Sequence, residues 1–187
     1  MAQLAREPLL ARLCAVLRET TQKLAIIGDG KKYGGFRVTC IADRWPGEGP
    51  LGGIITALDA SARSSATEIS VPTWNLIVGC DMPFLTREWL TYLIQLALVS
   101  SADVVVPESI HGLEPLCACW RTTASPTLRQ AFDRGTRKVS EAMKHLRMEV
   151  LDETQWKRFD SAGRLFWNMN TPADYEEARR LVEAERA

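Results

Sequence analysis

The chain has 187 residues, 46% of them hydrophobic, with 23 basic and 23 acidic side chains and no formal net charge at neutral pH. That length and apolar content suit one domain with a core of its own, needing no disulfide or metal staple. The charge balance excludes a general attraction to nucleic acid or to an anionic membrane, though not a local basic pocket.

The start, MAQLAREPLLARLCAVL, is no secretory signal, because Arg6, Glu7 and Arg12 interrupt any apolar core. From Pro8 to Glu19, Leu9, Leu10, Leu13, Val16 and Leu17 form a helical stripe. Leu24 to Ile27 is a short apolar run closed by Gly28-Asp29-Gly30, which predicts a buried strand and a turn. Phe36 to Ile41 is the next strand candidate, and after the Gly/Pro-rich stretch Pro46–Gly53 a helix is expected over Ile54 to Ala62. Trp74 to Gly79 reads as a strand with Cys80-Asp81-Met82-Pro83 at its end. Thr86 can cap a helix from Arg87 to Val99. The most apolar window, Trp89 to Val106, is broken by Gln95, Ser100, Ser101 and Asp103, so it predicts no membrane span. Strands follow at Ala102–Val106 and Leu116–Trp120, helices at Ser125–Phe132 and Lys138–Leu146, and a strand at Met148–Leu151. A last helix opens with Thr171 as cap, Pro172 at the first position and Asp174 three residues after the cap.

Strands alternating with helices imply a three-layer α/β/α domain with a mostly parallel, Rossmann-like sheet covered on both faces. Ligands in such folds sit at the carboxyl ends of the strands, here the loops after Ile27, Ile41 and Gly79. The five cysteines, Cys14, Cys40, Cys80, Cys117 and Cys119, contain no C-x-x-C. Reduced thiols in the cytoplasm are the expectation. Cys117 and Cys119, with only His111 and His145 in the whole chain, read as small buried hydrophobes and not as a zinc site.

The stretch GEGPLGG, Gly47 to Gly53, fits G-x-G-x-x-G. A dinucleotide loop would need its first glycine to close a strand, and Asp43-Arg44-Trp45-Pro46 intervenes. Glu68, at about the right interval for the ribose acid, stands before a strand and not at its end. No G-K-[ST] follows, which excludes a Walker A loop. Four glycines and two prolines in eight residues ahead of a helix still favour backbone contact with a ligand, against a plain strand-to-helix turn. Asp81, at the end of an apolar strand, is placed to hold Mg²⁺ with phosphate oxygens, or to make a cap or Asx turn. Asp43 can face a ribose or base, or serve as a solvated turn residue. Asn168 and Asn170, two apart in an extended segment, point the same way and can read a polar ligand edge, or belong to the turn before the last helix. Arg134, Arg137 and Lys138 can meet phosphate or form a solvated helix end.

Together, DRWPGE, GPLGGIITAL, VGCDMPFL, GLEPLCACW, DRGTRKV and FWNMNTPADYEEA follow one another as in the MobA-like molybdenum cofactor guanylyltransferases, which the chain resembles from about Pro8 to Glu177. The resemblance implies a nucleotidyltransferase fold, GTP and molybdopterin as substrates, Mg²⁺ as cofactor, and release of pyrophosphate. It implies Asp81 as the metal-binding and catalytic aspartate and Asp43 as the contact to the guanosine. Gly49, Pro50, Leu51 and Gly52 would line the nucleotide cleft, with Lys138, Asn168 and Asn170 on the pterin side. Molybdoenzymes or molybdenum-insertion proteins are the partners it implies.

One departure stands out. Family members open with a strand and a loop of the form L-x-G-G-x-S-x-R-M-G-x-D-K that cradles the triphosphate. Here Met1–Ala5 runs directly into Arg6-Glu7-Pro8-Leu9-Leu10, which resembles the segment after that loop. The family's asparagine after the second strand is replaced near Gly28. The expectation is therefore a single domain over residues 1–187 without the family's first strand, with exposed sheet edges beside the gap. The alternative to an active transferase is a non-catalytic nucleotide- or pterin-binding homologue that acts in cofactor delivery.

Overall fold

The structure, a computed structural model, describes residues 3–4, 7–64 and 74–184. Glu68, weighed above as a ribose acid, lies outside the described residues. The short strands β1 (Gln3–Leu4) and β2 (Glu7–Pro8) pair antiparallel and lead into helix α1 (Leu9–Thr20). Strand β3 (Ala25–Ile27), the one-turn helix α2 (Gly30–Tyr33) and strand β4 (Thr39–Ile41) follow. Helix α3 (Pro50–Ser64), strand β5 (Trp74–Val78), helix α4 (Arg87–Val99) and strand β6 (Val104–Ser109) come next. Then come β7 (Gly112–Leu113), β8 (Cys117–Arg121), α5 (Ser125–Asp133), α6 (Val139–Met143), β9 (Met148–Leu151), α7 (Glu153–Trp156) and α8 (Pro172–Ala184).

The larger sheet runs β5-β8-β6, with β9 parallel and β7 antiparallel to β6. β8 runs against both β5 and β6, so β5, β6 and β9 share one direction. The reversal comes from the β6–β7 hairpin. There Gly112 takes φ +102°, a conformation that disfavours any side chain.

Period-two alternation sorts the core into the expected layers. Val105, Cys117, Cys119 and Leu151 face one side, with Leu13, Leu17, Trp89, Leu90 and Leu93 of α1 and α4. Val104, Val106, Ala118 and Trp120 face the other, with Leu51, Ile54, Ile55 and Leu58 of α3 and Leu128 and Phe132 of α5. The run Val104-Val105-Val106 is apolar throughout because both its faces are covered. Trp89 and Trp120 are fully buried, and the Trp89 Nε1–H donates to Cys117 Sγ at 3.3 Å. Cys117 and Cys119 are buried core residues, as their spacing predicts.

The sheet is in two pieces. Among the described residues β3 and β4 form a parallel pair of their own, not bonded to the larger sheet. Among the described residues β3, β4 and β5 each pair with a strand on one edge only. The residues of β5 are only half-buried. Helix α3 starts at Pro50, four residues earlier than its apolar pattern suggests, because proline presets the first helical turn. Helix α6 is shorter than expected and begins after Lys138. Thr86 caps α4 as read from the sequence, its Oγ1 accepting from Trp89 N. Among the described residues no helix is long and apolar enough to cross a membrane.

Candidate active site

The carboxyl ends of β3 and β4 face an open pocket of about 520 Å³. Gly28, Asp29, Lys32, Tyr33, Asp43 and Gly47 are among its lining residues. Asp43 is held from behind. Its Oδ1 accepts from Trp45 N at 3.0 Å and lies 3.2 Å from the Thr56 hydroxyl. Thr56 is fully buried on α3, and its Oγ1 also accepts from Arg44 N at 3.3 Å and contacts the Gly52 carbonyl at 2.9 Å. Asp43 thus makes an Asx turn, where the sequence suggested a ribose or base contact or a solvated turn residue. Oδ2 has no partner among the described residues and remains available to a ligand.

The loop behind Asp43 divides its glycines by purpose. Gly47 and Gly49 take φ +85° and +87°, and Glu48 N donates to Trp45 O at 3.1 Å, so these two glycines make the turn. At Gly52 a Cβ would come within 3.2 Å of Trp45 Cβ, so the residue is small because Trp45 lies against it. Around Gly53 there is open space. Pro50 is exposed at the head of α3, whereas the Leu51 side chain is fully buried in the core and leaves only its backbone to a ligand. Glu48 reaches across to the turn between α5 and α6, where its Oε2 accepts from Arg137 Nε at 2.7 Å. Arg137 also donates to Phe132 O at 2.8 Å and lies 3.9 Å over the Phe132 ring. Of the basic cluster, Arg137 is therefore committed to the glycine loop. Lys138 is exposed, and its ammonium has no partner among the described residues.

Asp81 stands beyond the end of β5, half-buried, its carboxylate without a hydrogen-bond or ion-pair partner among the described residues. It lies over Gly79, where a Cβ would meet Asp81 Oδ1 at 2.6 Å. The Asp81 carbonyl accepts from Met169 N at 3.0 Å. This bond brings Asn168 and Asn170, the residues flanking Met169, to the end of β5. Phe84 stacks on Trp167 with centroids 5.6 Å apart and steadies the same junction. Asp174 Oδ2 accepts from Asn170 N at 3.1 Å and Thr171 N at 2.8 Å, while Thr171 Oγ1 accepts from Asp174 N. The backbone here is turn and cap, and both asparagine side chains stay unengaged among the described residues. Cys80 joins the two regions. Its thiol sits above its ordinary range through desolvation first and the Asp81 carboxylate second, with Lys32 of the pocket opposing.

The strand ends thus carry two groups, Asp43 with the glycine loop and Asp81 with Asn168 and Asn170, while Lys138 is tied to the first only through Arg137 and Glu48. Sequence reasoning took Gly28-Asp29-Gly30 as a bare turn and missed α2. Asp29 ahead of the glycine is a helix cap, its Oδ1 accepting from Lys31 N at 2.8 Å, and that cap was the available signal. Among the described residues no group of three or more His, Cys, Asp or Glu side chains is arranged to hold a metal ion.

Comparison with known proteins agrees with this architecture. A molybdenum cofactor guanylyltransferase of Rhodopseudomonas palustris is 30% identical over 195 aligned positions, covering 97% of this chain and 84% of that protein. A protein of Chloroflexus aggregans named as a probable molybdenum cofactor guanylyltransferase is 30% identical over 180 positions, covering 94% and 79%. The crystal structure of molybdopterin-guanine dinucleotide biosynthesis protein A from Archaeoglobus fulgidus superposes with a TM-score of 0.80 at 22% identity, over 97% of this chain and 89% of that one. That likeness carries the fold. Residues 1–149 match the description of the MobA-like NTP transferase domain, and the chain belongs to that nucleotidyltransferase family.

Proposed function

We propose that this protein is a molybdenum cofactor guanylyltransferase, transferring GMP from GTP to molybdopterin with release of pyrophosphate. The observation that carries the reading is the junction at the end of β5. There a carboxylate without a partner among the described residues, Asp81, is joined through its own carbonyl to the segment bearing Asn168 and Asn170. The pocket beside Asp43 supplies room for a nucleoside. Relatives named for this activity support the same conclusion.

In this reading Asp43 Oδ2 accepts from the guanosine, while Thr56 and Trp45 N fix the carboxylate. Gly49, Pro50, Leu51 and Gly52 offer backbone to the nucleotide at the head of α3. Asn168, Asn170 and Lys138 orient the pterin and its phosphate. An oxygen of the molybdopterin phosphate attacks the α-phosphorus of GTP, the bond to the β-phosphate oxygen breaks, and pyrophosphate leaves. Positioning carries most of such a transfer.

Mg²⁺ fits the residues present. It is commonly held by one or two carboxylates with substrate phosphates and water completing the shell, so a single open carboxylate at Asp81 is sufficient. When bound it supplies neutralisation of phosphate charge. The five free cysteines suit a reducing compartment such as the cytoplasm, and acceptor molybdoenzymes are the partners such a product requires.

A second reading, a non-catalytic nucleotide- or pterin-binding homologue, is favoured by one observation. Lys32 is the one cation lining the pocket among the described residues, little positive charge for a triphosphate. Calorimetry of GTP with Mg²⁺ on the chain and on Asp81→Ala tests the site. Micromolar binding that is lost in the variant is expected, and equal binding in both, or none in either, overturns the transferase reading.

A further inference from the structure

Helix α4 turns Trp89, Leu90, Leu93 and Ala97 into the core, so the 3.6-residue period sends Glu88, Thr91, Gln95, Leu98 and Val99 outward. Leu98 is 67% exposed and Val99 84%. A lone exposed leucine is ordinary surface, but here two adjacent apolar side chains end a helix face that also carries a hollow. That hollow, of about 410 Å³, is lined by Arg87, Glu88, Thr91, Tyr92 and Gln95 of α4 and by Phe159 of the turn Lys157–Phe159. Its aromatic wall is braced. The Tyr92 and Phe159 ring centroids stand 5.0 Å apart, Trp89 packs against them at 6.1 and 5.7 Å, and the Arg158 guanidinium lies 4.4 Å over Tyr92.

An apolar knob and a hollow on one helix, less than two turns apart, are what a two-fold contact requires, because each copy must present both halves. When two α4 helices lie side by side and antiparallel, a two-fold axis passing at Gln95 sets each residue opposite the one equally far on the other side of position 95. Leu98 and Val99 then lie opposite the partner's Thr91 and the partner's Tyr92, in its hollow, and the reverse contact repeats across the axis. Gln95 meets its own mate. A carboxamide both donates and accepts, so it complements itself where a lysine or glutamate would repel itself. Glu88 and its mate stand about 21 Å apart along the helices, beyond the Debye length of roughly 8 Å, so no like charges meet. Antiparallel helix dipoles add attraction. We propose that the outer face of α4 is a homodimer interface, in which two copies of this chain pack antiparallel about a two-fold axis at Gln95 and each seats Leu98 and Val99 in the other's hollow. One helix face is at the small end of interface sizes, so the dimer is a micromolar one.

The test is sedimentation velocity on the full chain from about 1 to 300 µM, for the wild type and for Gln95→Lys, Gln95→Glu and Val99→Glu. Both positions are exposed, so the substitutions leave the core untouched, and a thermal melt checks this. The expected wild-type dissociation constant is about 10 to 100 µM. Each variant alone associates at least about tenfold more weakly. An equimolar mixture of Gln95→Lys and Gln95→Glu recovers association, because opposite charges then meet on the axis, a recovery that lost stability cannot produce. A wild type that stays monomeric throughout overturns the proposal. A dimer that substitution at either position leaves intact places the interface elsewhere and also overturns it. A mixture that associates no better than its components overturns the two-fold axis at Gln95, and the proposal with it.

Discussion

Gly79→Ala is the sharpest perturbation of the candidate site that removes no polar atom. The new Cβ would stand 2.6 Å from Asp81 Oδ1 and 3.6 Å from Leu116 Cβ. The second contact is ordinary, so β5 need not move. The first is impossible, and the carboxylate must withdraw by roughly 0.8 Å or rotate away to reach van der Waals distance. Asp81 is only half-buried, so it can yield, and the stability cost is about 1 kcal/mol, the low end for overpacking. If Asp81 has its proposed role, a displacement near 1 Å costs on the order of 100-fold in rate. The assay is steady-state pyrophosphate release with a Mg²⁺ titration, alongside a thermal melt. The expected result is a melting temperature within a few degrees of wild type, a fall in kcat of about 10- to 100-fold, and a higher Mg²⁺ requirement. A variant with wild-type kcat and wild-type Mg²⁺ dependence would refute the claim that Asp81 must sit where it does.

Three further outcomes are expected. Thr56→Val removes the hydroxyl that ties Asp43 to α3 and to Arg44 N, so nucleotide KM rises about three- to tenfold and stability falls by about 1 kcal/mol, while Thr56→Ser restores both; titration of GTP binding and a urea melt read this. Alkylation of the native protein at pH 8, followed by mass spectrometry, modifies exposed Cys80 and half-buried Cys40 and spares Cys117, whose thiol burial pushes up to about 12, and buried Cys14 and Cys119. Asp103 is held below the usual carboxylate range first by its hydrogen bond from Arg147. Its stabilising contribution is therefore complete above about pH 4, the unfolded carboxylate value, and is lost as pH falls through the depressed folded value. Arg147→Ala lowers the melting temperature at pH 7, and its gap to wild type closes toward pH 2.

Legibility followed the length of each element and the range of its contacts. The apolar strand β6, the capped helix α4 and the proline-led α8 carry their own signals and were read within a few residues. The one-turn helices α2 and α7 have too few residues for periodicity and are held by caps. Asp152 and Gln155 form a reciprocal capping box whose spacing could have been noticed. The reversal of β8 depends on a hairpin made by Gly112, which a strand count does not reveal. At the site, Asp81 announced itself by ending a strand, and the turn glycines by their density. Its bond to Met169 did not, because an amide meeting a carbonyl across so much chain leaves no mark in composition. The Glu48–Arg137 pair, 89 residues apart, was hidden for the same reason, so Arg137 read as a phosphate contact or a solvated helix end and its pairing with Glu48 went unseen.

The measurement that bears most directly on the function is product formation from GTP, molybdopterin and Mg²⁺, with pyrophosphate and the guanine dinucleotide quantified together for the wild type and for Asp81→Ala. The predicted result is equimolar pyrophosphate and dinucleotide from the wild type, dependent on both substrates, and at least about 100-fold less from the variant. GTP binding without any dinucleotide from the wild type would contradict transfer and leave a binding protein.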